Sequence, residues 1–148
     1  MNSQKTRHIE ILLVEDNEGD VFLTRKAFEK AKIANTINVA TDGEMALKKL
    51  RRQDEYADET LPDIVLLDIN LPKKDGKQVL AEMKQDEFLR RIPVVILSSS
   101  EAEQDILKSY DFHASGYVVK PLNFEKFREV VSSVEDFWFS VVTLPGKV

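Results

Sequence analysis

Cysteine is absent from this chain of 148 residues, which excludes both a disulfide framework and a thiolate metal site. No apolar run approaches the roughly 20 residues that a membrane span needs. The opening Met1-Asn2-Ser3-Gln4-Lys5-Thr6-Arg7-His8 lacks the apolar core of a signal peptide. No block of like charge makes a basic stripe: 21 Lys and Arg stand against 26 Asp and Glu, a net charge of -5, which argues against direct binding of nucleic acid. Repeats, low-complexity tracts and internal linkers are missing too. These absences, with a length that suits one domain and not two, lead us to expect a single soluble, cytoplasmic domain.

What is present is alternation. Short runs rich in Ile, Val and Leu fall near 9–14, 37–41, 63–68, 93–98 and 116–119, and helical periodicity falls near 18–32, 43–53, 76–86, 101–112 and 123–140. Thr41-x-x-Glu44 and Ser100-x-x-Glu103 read as capping boxes at two of the helix starts. Most strands are apolar without alternation, as expected of strands buried on both faces. Five βα units of this kind predict an α/β fold, a flavodoxin-like doubly wound five-stranded parallel sheet of order 2-1-3-4-5 with helices on both faces. Ligands bind such sheets at the carboxyl ends of the strands, at the switch point between strands 1 and 3.

Four of those strand ends carry reactive groups: Glu15 and Asp16 after Ile11-Leu12-Leu13-Val14, Asp68 after Ile64-Val65-Leu66-Leu67, Ser98 after strand 4 and Lys120 after strand 5. The strand order makes them neighbours despite their separation in sequence. Three carboxylates at one mouth repel one another, and a hard divalent cation, Mg²⁺ best of all, relieves this while leaving positions open for phosphate oxygens. Lys120 adds a second positive charge and Ser98 a hydrogen-bond donor. Asp68 then reads as a nucleophile toward phosphorus, forming an aspartyl phosphate. Asp42 ends the edge strand and is assigned to turn chemistry, as is Asp75-Gly76 at the start of a helix.

Val14-Glu15-Asp16-Asn17, Leu67-Asp68 with Leu71-Pro72-x-x-Asp75-Gly76, Ser98, and Tyr117-Val118-Val119-Lys120-Pro121 together resemble the receiver domains of two-component response regulators. The resemblance spans nearly the whole chain. It implies a phosphoacceptor and not a true enzyme: a sensor histidine kinase donates a phosphoryl group to Asp68. Asp16, Asp68 and the backbone carbonyl of Asn70 bind Mg²⁺, with Glu15 assisting through water, while Ser98 and Lys120 hold the phosphate. It further implies that Ser98 and Tyr117 act as the switch, altering an output surface made by helix 4, strand 5 and helix 5.

The apolar stripe of the last helix, Phe124, Phe127, Val130, Val131, Val134, Phe137, Trp138, Val141 and Val142, runs longer than the three or four turns the fold needs. The surplus suggests a homodimer through Phe137, Trp138, Val141 and Val142. We accordingly expect a flexible segment at 1–8, a receiver domain at 9–135 and a dimerising extension at 136–148. That tail, with the polar insert at 53–62, is similar to the small stand-alone regulators that partner bacterial phytochromes, which implies a light-sensing kinase as donor. No helix-turn-helix follows helix 5, so the signal is expected to pass to an unidentified downstream protein. Two alternatives stay open. One is a docking module that works without phosphorylation, a pseudo-receiver. The other is a phosphohydrolase of the haloacid dehalogenase type, although Asn70 stands where that chemistry needs a second acid.

Overall fold

A computed structural model describes residues 8–31, 34–110 and 112–131. The strands are β1 (Ile9–Val14), β2 (Asn35–Ala40), β3 (Ile64–Asp68), β4 (Val94–Ser98) and β5 (Gly116–Val119). The helices are α1 (Glu18–Ala31), α2 (Gly43–Arg51), α3 (Gly76–Gln85), α4 (Glu101–Lys108) and α5, described over Phe124–Val131. All strand pairs are parallel and the order is β2-β1-β3-β4-β5, the order expected from the βα alternation. Residues 1–7 of the expected segment 1–8, and the whole of the expected extension 136–148 with Phe137, Trp138, Val141 and Val142, lie outside the described residues.

The sheet buries both faces, and the two-residue period of a strand sorts its side chains between them. Leu12, Val14, Val65, Leu67, Val94 and Ile96 pack with α2, α3 and α4 through residues such as Leu47, Leu80 and Leu107. Ile11, Leu13, Ile64, Leu66, Val95, Leu97 and Val118 pack on the other face with Phe28 of α1 and Phe127 of α5. Those two rings meet edge to face at 4.8 Å between centroids. The continuous apolar strands thus serve a core on each side of the sheet.

Local chemistry explains where helices begin, and it corrects one assignment. The cap of α2 is Asp42, which accepts a hydrogen bond from the Met45 N–H at 2.8 Å, not Thr41. The Thr41-x-x-Glu44 box is wrong because Gly43 is the first helical residue, packed directly under the Lys74 carbonyl. A reciprocal capping box does occur at α3, between Asp75 and Gln78. Ser100 caps α4, as expected, but Glu103 turns to the Ser99 N–H and hydroxyl instead of closing a box. The fourth helix stops at Lys108, short of the expected 112, and β2 opens earlier, at Asn35. Two short 3-10 turns, Asp54–Tyr56 and Leu89–Arg91, fall where no helix was expected. The first lies in the polar insert and sets the Tyr56 ring 4.8 Å from the Lys49 ammonium at the β2 edge.

Two glycines are required by close approach. A Cβ on Gly43 would stand 1.8 Å from the Lys74 carbonyl oxygen, and one on Gly76 would stand 2.6 Å from the Asp68 carbonyl oxygen and 2.8 Å from Ile69 Cα. Both contacts fix the loop that follows β3. We expect Gly76→Ala to destabilise the fold by about 1–3 kcal/mol through overpacking against backbone, and Gly43→Ala by at least as much. Urea unfolding of the two variants beside the wild type measures this; unchanged midpoints would show that the loop yields freely.

Candidate functional site

Register decides which strand-end residues can meet. Val14 is level with Leu67, Asp68 with Leu97, and Leu97 with Val118. Glu15 and Asp68, each one residue on, therefore stand at the same height. Lys120 starts two residues above that height, about 7 Å at the strand rise, a gap a lysine side chain can span. Parity completes the placement: Leu13, Leu66 and Val118 face α1 and α5, so Glu15, Asp68 and Lys120 emerge on that same side. Ser98 has the parity of Ile96 and faces α4, as does Tyr117, which is half-buried against that core.

The resulting geometry is compact. Lys120 Nζ donates to Asp68 Oδ2 at 3.0 Å, to Asp20 Oδ2 at 2.9 Å and to Glu15 Oε1 at 3.2 Å. The peptide between Lys120 and Pro121 is cis. Asp68 Oδ1 accepts from the backbone N–H of Asn70 at 3.0 Å, so both oxygens of this 3% exposed residue have donors. Glu15 is 1% exposed and accepts from the Asn17 N–H at 3.1 Å. Ser98 is fully buried, its hydroxyl turned to the Ser100 carbonyl at 3.4 Å, outside the ion-pair cluster. The side-chain amide of Asn70 donates to Glu103 Oε2 at 2.9 Å. Glu103 in turn accepts from Ser99 through its other oxygen, which links the loops after β3 and β4.

Sequence reasoning missed two of these residues. Asp20 emits a signal only in combination: an acid in the first turn of α1, on the face where Glu15, Asp68 and Lys120 emerge. Glu103 was seen as a cap residue, and its reach to Asn70 depends on the distance between two loops, which no local pattern encodes.

Electrostatics follow from burial. Desolvation, then a hydrogen bond with Asp68 and the charge of that neighbour, push the Glu15 carboxyl up to about 7, against the pull of the Asn17 N–H and Lys120. Burial alone would lower the Lys120 pKa, but hydrogen bonds to Asp20 and Asp68 and the charges of Asp68 and Glu15 outweigh it and hold the ammonium above the ordinary lysine range. Glu15, Asp16 and Asp68 each offer a carboxylate oxygen, all within 4.8 Å of one another. An all-oxygen set of three acids, in which burial and then repulsion by Asp68 raise the Glu15 pKa and whose charge a single ammonium only partly offsets, fits a hard divalent cation. A separate cavity of about 370 Å³, between the amino halves of β1 and β2, α2 and the polar insert, includes none of these residues.

Residues 11–132 match the family described as the response regulator receiver domain. The chain belongs to that family. Response regulator Rcp1 of Synechocystis sp. is 42% identical over 136 residues, 92% of each chain. A solved structure of the Mn²⁺-bound form of Rcp1 superposes with a TM-score of 0.72, covering 93% of this chain and 99% of that one. The bacteriophytochrome response regulator AtBRR is 43% identical with a TM-score of 0.83, over 89% of this chain and 96% of its own. RcpA, a cyanobacterial phytochrome response regulator solved in its phosphorylated form, is 45% identical with a TM-score of 0.73, over 94% and 99%. This receiver is thus related along its length to small stand-alone regulators. Receivers are in general phosphoacceptors, which sets aside the dehalogenase-type hydrolase. No helix among the described residues is long and apolar enough to cross a membrane.

The raised Glu15 pKa has a sign that can be checked. Because the folded protein holds that proton more tightly than the unfolded chain, the contribution of Glu15 to the stability of metal-free protein falls as pH rises from 4.5 to about 7. Glu15→Gln should therefore raise the metal-free melting temperature at pH 8 and bring little gain at pH 5.5, read by thermal unfolding in chelator. An equal effect at both pH values would show that Glu15 is ionised throughout.

Proposed function

We propose that this receiver accepts a phosphoryl group from a sensor histidine kinase on Asp68. The observation that carries this is the 3.0 Å contact between Lys120 Nζ and Asp68 Oδ2, inside a cluster of acids suited to a divalent cation. Asp16, Asp68 and the backbone carbonyl of Asn70 would hold Mg²⁺, with Glu15 acting through water. Mg²⁺ supplies positive charge beside the oxygens of the transferring group. An Asp68 carboxylate oxygen attacks phosphorus, the bond between phosphorus and the donor imidazole nitrogen breaks, and that nitrogen keeps the electron pair. Lys120 neutralises charge on the phosphoryl oxygens, and the Asn70 N–H fixes the carboxylate's orientation.

Ser98 and Tyr117 lie on one face of the sheet, beside α4, and Ser98 turns from the Ser100 carbonyl to the phosphoryl group as the switch. Differential contacts of the phosphate in two states would bias the α4, β5 and α5 surface through which the signal leaves for another protein. The likeness to AtBRR and RcpA, both phytochrome response regulators, supports a phytochrome as the kinase here; the cytoplasm is the location this reading assigns to the exchange. A homodimer through 136–148 completes the proposal, resting on the sequence of Phe137, Trp138, Val141 and Val142 alone. The alternative, a docking module without phosphorylation, is disfavoured by the joint presence of Asp68, Lys120 and the acids around them.

Intact mass after incubation with acetyl phosphate and Mg²⁺ tests the chemistry. We expect one phosphoryl adduct that needs Mg²⁺ and disappears in Asp68→Asn, and labelling at least about tenfold slower in Lys120→Ala. No adduct with either acetyl phosphate or a phytochrome kinase would return the chain to the docking reading.

A further inference from the structure

A lysine ammonium has three N–H donors, and here three carboxylates take them. Lys120 Nζ lies 3.2 Å from Glu15 Oε1, 2.9 Å from Asp20 Oδ2 and 3.0 Å from Asp68 Oδ2. A fully engaged ammonium can bond a phosphoryl oxygen only after releasing one partner. The three partners differ in how readily they can be released. Glu15 and Asp68 belong to the acidic trio, and their side chains are 2% and 4% exposed. Asp20 is outside the trio, comes from a helix and not from a strand end, and is 29% exposed, so water can take its place on the freed oxygen.

The local structure of α1 does not depend on the contact. The Asp20 N–H is satisfied by the Asn17 side chain at 2.9 Å, and the Asp20 carbonyl accepts from the Thr24 hydroxyl at 2.9 Å. A carboxylate in a first helical turn is favoured by the helix dipole wherever its oxygens point. The dipole therefore explains an acid at this place but not its turn toward Lys120.

We propose that Asp20 is a displaceable counter-ion of Lys120, a positioning residue that holds the ammonium over Asp68 in the resting protein and slows phosphorylation because the incoming phosphoryl group must evict it. The inference rests on the reading of Asp68 as phosphoacceptor. Asp20 touches neither the transferred group nor the metal in this scheme; it acts by occupying Lys120.

The test follows labelling by acetyl phosphate with Mg²⁺ in the full chain, for wild type, Asp20→Asn, Asp20→Glu and Asp68→Asn. Asp20→Asn should label about three- to tenfold faster, the size of one partly exposed charged contact, and Asp20→Glu should return toward the wild-type rate. Titration with beryllofluoride, a phosphoryl mimic, followed by fluorine NMR, should show tighter binding to Asp20→Asn by a similar factor. Mg²⁺ affinity should stay within about twofold, since Asp20 is not one of the trio. Labelling of Asp20→Asn at or below the wild-type rate, with wild type labelled and Asp68→Asn not, overturns the inference and leaves the phosphoacceptor reading intact. A change in Mg²⁺ affinity as large as the rate change reassigns the effect to the metal and overturns it too. Wild type that takes neither label nor mimic, or Asp68→Asn that labels equally, overturns both.

Discussion

One ammonium holds together a site that would otherwise repel itself. Glu15 and Asp68 are almost wholly removed from water and lie beside each other, an arrangement that costs several kcal/mol without a positive partner. Lys120 reaches them from the far side of β4, and its contacts run to residues 52, 100 and 105 positions away in the chain. The site thus exists only when β1, β3, β4 and β5 are in register. Charge neutralisation at the mouth therefore requires the assembled sheet.

The fold was legible because its determinants are local and repeated. Buried strands such as Ile64–Asp68 and Val94–Ser98 announce themselves as apolar runs, and these with the less buried β2 and β5 make five strands separated by helical periods, which leave few topologies. Boundaries were less legible where a cap has rivals: Thr41 and Asp42 both suit an N-cap, and the Lys74 backbone over Gly43, a tertiary contact, selects Asp42. The same holds at α4, where Glu103 leaves the expected box for a partner on another loop.

In the site, the strand-end residues were readable because each closes its strand or follows within two residues, and strand order alone makes neighbours of them. Their division between two faces needed parity as well. Counting by twos from Leu66 and Val118 sends Asp68 and Lys120 toward α1, and counting from Ile96 sends Ser98 toward α4. That separation is the physical reason Ser98 stands apart from the ion pairs. It also accounts for Asp20, whose helix packs, with α5, on the side where the ammonium emerges. Membership of the receiver family says which residue types belong at such a mouth; register and parity say which of them touch.

Glu103 bonds Ser99 with one oxygen and Asn70 with the other, and the Asn70 N–H rests on Asp68. Two loops from different strands are in this way riveted by a single side chain on the first turn of α4. The first turn of α4 is thereby joined, through two successive hydrogen bonds, to the Asp68 carboxylate, so the rim and the floor of the site share one chain of contacts.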